Sequence, residues 1–116
     1  MIKPASDFIK EAQKICNCLD AVAAKELAGQ SNNLIILDVR EPHETAESKL
    51  EQAINIPRGL LEMKVQNHCT DPDTLILIHC AGGGRASLAA ARLHEMGYRN
   101  VHAITEKFTD IKKAFD

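Results

Sequence analysis

Neither sign of charge dominates this chain of 116 residues: 14 Lys and Arg stand against 16 Asp and Glu, a net charge of −2. That balance leaves no electrostatic footprint for nucleic acid or an anionic membrane. No stretch approaches the ~20 consecutive apolar residues of a membrane-spanning helix. Met1 to Asp7 lack the apolar segment of a secretory signal, so a cytoplasmic location is expected. Tryptophan, internal repeats and low-complexity tracts are all absent. The four cysteines are Cys16, Cys18, Cys69 and Cys80, and Cys16-Asn17-Cys18 is not the C-x-x-C spacing of a zinc or redox motif. Histidines 43, 68, 79, 94 and 102 are scattered without ligand spacing, so neither metal nor cofactor is expected. In a reducing compartment all four cysteines are free thiols. Cys16, Cys18 and Cys69 read as structural; the alternative is a resolving thiol that meets Cys80 in space.

What is present is enough for one domain with a real core: 45% of residues are hydrophobic and 26% charged, as in ordinary globular chains. Residues 4–14 read as a short helix with Phe8, Ala12 and Ile15 on one face and Ser6 as its cap. Ile15 to Leu19 reads as a short edge strand. Asp20 then caps a helix through Ala28 that Gly29 ends. Leu34–Leu37 and Leu75–Ile78 are unbroken apolar runs, the pattern of strands covered on both faces. Between them come a short helix near Pro42–Ser48, a strand near Ala53–Asn55 and a helix from Gly59 to Asn67. After them, Ala86, Ala89, Ala90 and Leu93 form one face of a helix that Gly97 stops. Val101–Ile104 is the last strand, and Phe108, Ile111 and Phe115 make the apolar face of the last helix. Alternating strands and helices predict an α/β sandwich with a mainly parallel five-stranded sheet.

One stretch carries chemistry. Leu75 to Ile78 leads through His79 into Cys80, then Ala81-Gly82-Gly83-Gly84, then Arg85 opening a helix. A thiol at the carboxyl end of a parallel strand, facing a helix N-terminus, meets backbone N–H groups and the positive end of a helix dipole. Both favour the thiolate, the nucleophilic form. The small residues let the loop curl around one sulfur, with Ala81, Gly82, Gly83 and Gly84 supplying N–H donors. Cysteine phosphatases place five residues between Cys and Arg; here there are four. The tighter cradle suits one added sulfur atom better than a tetrahedral phosphate.

With Leu37-Asp38-Val39-Arg40-Glu41-Pro42-His43-Glu44, Ala53-Ile54-Asn55-Ile56-Pro57 and Glu95-Met96-Gly97-Tyr98-Arg99-Asn100-Val101, these residues resemble a rhodanese-like domain of the single-domain thiosulfate sulfurtransferase type. The resemblance runs from about Leu34 to the C-terminus. It implies a rhodanese-like three-layer sandwich over residues 15–116, with residues 1–14 as a helical extension on its surface. It also implies transfer of a sulfane sulfur from a donor such as thiosulfate to a thiol or cyanide, through a persulfide on Cys80. The alternative is a non-catalytic persulfide carrier or binding module serving a sulfur-relay protein. The chain departs from the family at Ser48-Lys49-Leu50-Glu51-Gln52 and at Glu106-Lys107-Phe108, where glycine-containing turns are usual.

Supporting roles follow. Arg85 either pairs with a carboxylate, Asp38 or Glu41, or contacts an anionic donor. Arg40 either attracts that donor or is a solvated turn residue. By the resemblance Arg58 lies at the pocket rim; otherwise it is a surface charge. Asp38 reads as a strand-end acceptor for loop N–H groups. Strand alternation turns His79 away from Cys80, into the core.

Overall fold

A computed structural model describes residues 1–116, all of the chain. Five strands form one sheet: β1 (Asn17–Leu19), β2 (Leu34–Asp38), β3 (Ala53–Asn55), β4 (Leu75–His79) and β5 (Val101–Ile104). Their order is β1-β5-β4-β2-β3, and every neighbouring pair is parallel, where the sequence suggested only a mainly parallel sheet. β4 is central and buried at all five positions, which is why its sequence shows no polar alternation. Six α-helices cover the faces: α1 (Ala5–Ile15), α2 (Ala21–Gly29), α3 (Pro42–Glu47), α4 (Leu61–Lys64), α5 (Gly84–Met96) and α6 (Phe108–Phe115).

The sheet separates two cores. On one side, Leu37 and Val39, Ile76, Ile78 and Cys80, and Val101 and Ala103 pack with Ala86, Ala89, Ala90 and Leu93 of α5. On the other, Ile36, Leu75, Leu77 and Ile104 pack with Ala21 and Ala24 of α2 and Ile111 of α6. The alanine face of α5 is fully buried and lets the helix lie close to the sheet. α1 packs against α5 as an additional layer element.

Several local expectations need correction. Ser6 lies inside α1; Pro4 is the N-cap and no side chain caps the helix. Gly29 is the last helical residue and does not turn left-handed; only Gly83 and Gly97 have positive φ. Residues 59–67 are not one helix: the 3₁₀ turns Arg58–Leu60 and Val65–Asn67 flank the four-residue α4. Asp20 does cap α2, accepting from Ala23 N at 2.8 Å. The departure at Glu106 has a structural use, because its carboxylate accepts the free Ala21 N–H at the same helix start, 2.5 Å away.

Candidate active site

Cys80 follows the carboxyl end of β4, and α5 begins four residues later. Its Sγ accepts hydrogen bonds from Gly83 N at 3.0 Å and Ala86 N at 3.4 Å. These donors belong to the N-cap and third residue of α5, where N–H groups have no intrahelical partner. The cradle is therefore narrower than the sequence suggested: of Ala81, Gly82, Gly83 and Gly84, only Gly83 donates to the sulfur. Ala86, which the motif does not single out, supplies the second bond. The free donors of any helix's first turn are the signal that points to it.

The three glycines are not equivalent. Gly83 has φ +107°, and a Cβ there would stand 2.9 Å from Thr105 Cα. A Cβ on Gly84 would stand 3.0 Å from Ile9 Cδ1 of α1. Gly82 has open space around it. The loop is pinned further by Phe108 N donating to Ala81 O at 3.0 Å. Ser87 Oγ donates to Gly83 O at 2.7 Å and accepts from Gln13 Nε2 of α1 at 3.1 Å. Cys80 is 1% exposed, whereas Ala81 and Gly82 are solvent-facing. None of the surface cavities is lined by Cys80.

Arg85 pairs with a carboxylate, but with neither Asp38 nor Glu41. Its guanidinium forks onto Glu44, with Nη1–Oε1 2.7 Å and Nη2–Oε2 3.1 Å. Hydrogen bonding from Arg85, then from the Glu41 N–H, holds the Glu44 carboxyl down at about 2. Glu41 N donates to Glu44 Oε1 at 3.0 Å, so Glu41 serves the start of α3. The Glu-x-x-Glu spacing around Pro42 is a capping-box signal that could have identified Glu44.

Asp38 and Arg40 form a different structure on the other side of the sheet. Arg40 is 5% exposed, so it is neither a solvated turn residue nor open to a donor. Its Nε and Nη2 lie 3.0 and 2.8 Å from the Asp38 carboxylate, and Nη2 also donates to Ser48 O at 2.7 Å. Asp38 accepts in addition from Arg40 N and Thr45 Oγ1, both at 3.0 Å. Burial alone would raise the Asp38 carboxyl; the Arg40 hydrogen bonds outweigh it and leave Asp38 below its ordinary value. The guanidinium lies 3.9 Å from the Phe108 ring centroid, and Phe108 stacks on His79 at 5.6 Å. His79 is fully buried with both ring nitrogens unpartnered, and burial pushes it down to about 4. The alternation argument for His79 holds. Asp38 and Arg40 reach the loop through Phe108, whose N–H holds Ala81, and through α3, where Thr45 bonds Asp38 and Glu44 clasps Arg85.

Arg58 bonds Glu62 at 3.0 Å and lines a cavity of about 220 Å³ between α1 and α5, with Phe8, Leu88 and Arg92. It is part-exposed, and its bonded partner is Glu62 rather than the cysteine loop. No helix is long and apolar enough to cross a membrane.

Residues 20–114 match the family model of the rhodanese-like domain. The chain is 26% identical over 85 residues to a sulfurtransferase of Allochromatium vinosum, covering 73% of this chain and 78% of that protein. It is 30% identical over 84 residues to a putative sulfurtransferase of Bacillus subtilis, covering 72% and 80%. A solved structure of a Rhodopseudomonas palustris protein of unknown function, named a possible tyrosine phosphatase, matches with TM-score 0.83 at 25% identity, over 98% of this chain and 92% of that one.

Proposed function

The chain belongs to the rhodanese-like domain family, and from that membership we propose a thiosulfate-type sulfurtransferase working through a persulfide on Cys80. The observation that carries the reading is the pair of N–H groups, from Gly83 and Ala86, directed at one sulfur. They stabilise a thiolate before transfer and negative charge on the sulfur pair after it. Cys80 Sγ attacks the outer sulfur of thiosulfate. The S–S bond of the donor breaks, and sulfite leaves with its electron pair. An acceptor thiolate or cyanide then attacks the terminal sulfur of the persulfide and returns Cys80 as thiolate. Two easier displacements replace one difficult transfer.

Arg85 orients the loop from its clasp with Glu44. Gly83, Gly84 and Ala81 shape it, while Asp38 and Arg40 support it from behind. Arg58 pairs with Glu62 beside the α1–α5 cavity, which Cys80 does not line, and is assigned no role in the transfer. Partners are a small anionic donor and a thiol or cyanide, with a relay protein as the alternative acceptor. A cytoplasmic location is part of the proposal.

The test is intact mass after brief exposure to thiosulfate, together with thiosulfate:cyanide turnover and aryl-phosphate hydrolysis. One added sulfur, removed by reductant, and turnover that falls to background in Cys80→Ser are expected. A variant with Cys16, Cys18 and Cys69 all changed to Ser should keep most of both. Sulfur loading without turnover would make the protein a carrier. Phosphate hydrolysis without sulfur transfer would overturn the reaction class.

A further inference from the structure

Cys16 and Cys18 take no part in the chemistry above, yet they are placed as a pair. Cys16 has extended backbone (φ −101°, ψ 161°) and leads directly into β1. Residues two apart on an extended segment share a face. That face is the one under α1 and α5: Cys16 packs against the core there and donates from Sγ to Ser87 O, 3.9 Å away. Cys18 is exposed, and its register partner on β5 is Ala103, whose side chain ends at Cβ.

Spacing decides what such a pair can hold. Cα atoms two apart on a strand are about 6.6–6.8 Å apart. This is the upper end of what a disulfide, with its S–S bond of about 2.05 Å, will span. A cation bound between two thiolates asks for less approach. Metal–sulfur bonds of about 2.3 Å on opposite sides of an ion put the sulfurs about 4.6 Å apart. No group of three or more Cys, His, Asp or Glu side chains assembles anywhere in the chain, so a four-ligand zinc site is not available. Calcium and magnesium prefer oxygen, whereas thiolates select soft ions such as Cu(I).

We infer that Cys16 and Cys18 form a two-coordinate site for a soft, thiophilic cation of the Cu(I) class at the β1 edge, separate from Cys80. Binding releases two protons: two thiols and Cu(I) give a bis-thiolate of net charge −1, with no change of oxidation state.

The test uses the reduced full-length protein under anaerobic conditions. Cu(I) is offered as its complex with a coloured chelator, and protein-dependent bleaching is followed. One Cu(I) per chain is expected in the wild type and in the variant combining Cys69→Ser and Cys80→Ser. Loss of at least 100-fold in affinity is expected in Cys16→Ser and in Cys18→Ser, with unchanged circular dichroism certifying the fold. A second readout is alkylation of Cys18, located by peptide mass, which one equivalent of Cu(I) should suppress. Binding that persists when both Cys16 and Cys18 are Ser, or that follows Cys80, would overturn the site. So would alkylation of Cys18 at the same rate with and without Cu(I). Sulfur transfer enters none of these readouts, so failure of the site and failure of the proposed enzyme activity are separable.

Discussion

His79 and Cys80 are consecutive, yet they serve opposite sides of one sheet. On the α5 side, the polar contacts of Cys80 are two backbone N–H groups, and its surroundings are aliphatic and alanine-rich. On the α6 side, a buried carboxylate, guanidinium, aromatic ring and imidazole are layered against each other. The first arrangement leaves a sulfur with bonding capacity unspent. The second spends most of its charge internally: Asp38 and Arg40 bond one another, with Thr45 and Ser48 as further partners, and the unpartnered ring nitrogens of His79 are fully buried. Charged residues near a reactive group are thus not automatically part of its chemistry. Here backbone stabilises the candidate nucleophile, and side-chain charges hold the scaffold.

The largest way to break that division is Asp38→Ala, which strands the Arg40 guanidinium in a buried site. A loss of about 3–5 kcal/mol is expected from removing one partner of a buried ion pair. Urea unfolding measures it, and a loss below about 1 kcal/mol would mean that the pair is solvated. Next comes pH. His79 is held neutral in the fold, about 4 against an ordinary 6.5. Its neutral-state stability is fully present above pH 6.5 and is lost as pH falls toward 4, because the unfolded chain binds the proton first. The span corresponds to at most roughly 3 kcal/mol. His79→Leu should flatten the stability profile between pH 6.5 and 4; an unchanged profile would remove the burial argument.

A smaller effect separates two glycines of the loop. Gly83→Ala is expected to cost about 1–3 kcal/mol through its positive φ and the approach to Thr105. It should lower sulfur transfer as well, since Gly83 N–H is one of the two donors. Gly82→Ala should stay within about 0.5 kcal/mol with transfer retained. Equal effects at the two positions would show that the loop is not shaped as described. Smallest in stability is Glu44→Gln, with about 0.5–1 kcal/mol expected from a part-exposed clasp. The same change frees Arg85, and the informative readout is a lower KM for an anionic donor, measured with thiosulfate at varied salt. A KM that does not move would assign the clasp to stability alone.

Much of this was legible in the residues. The unbroken runs Leu34–Leu37 and Leu75–Ile78 placed the two central strands, and the step from His79 to Cys80 placed their side chains on opposite faces. Small residues at 86, 89 and 90 identified the buried face of α5. Partnerships were harder. Arg85 met Glu44 rather than Asp38 or Glu41 because α3, only six residues long, sets which acid faces α5, and no sequence rule encodes that orientation. Arg40 looked available because an Arg beside a strand end usually is. Its burial involves Ser48, eight residues on, and Phe108 from a distant segment, both where the chain departs from the family's glycine turns. Short-range patterns carry periodicity and caps, while long-range charge pairing depends on how helices seat.

The small contact between α1 and the loop bears on where this protein can be cut. Gln13 holds Ser87, Ser87 holds the Gly83 carbonyl, and Gly83 holds Cys80 through its N–H. Ile9 occupies the space that a side chain on the next glycine would need. A shortened chain starting at residue 20, where the family match begins, would keep every residue of the sulfur-binding loop and discard the props that set its shape. Homology boundaries mark what is shared; in this protein the contacts that brace the loop begin earlier, inside a helix that the shared pattern does not include.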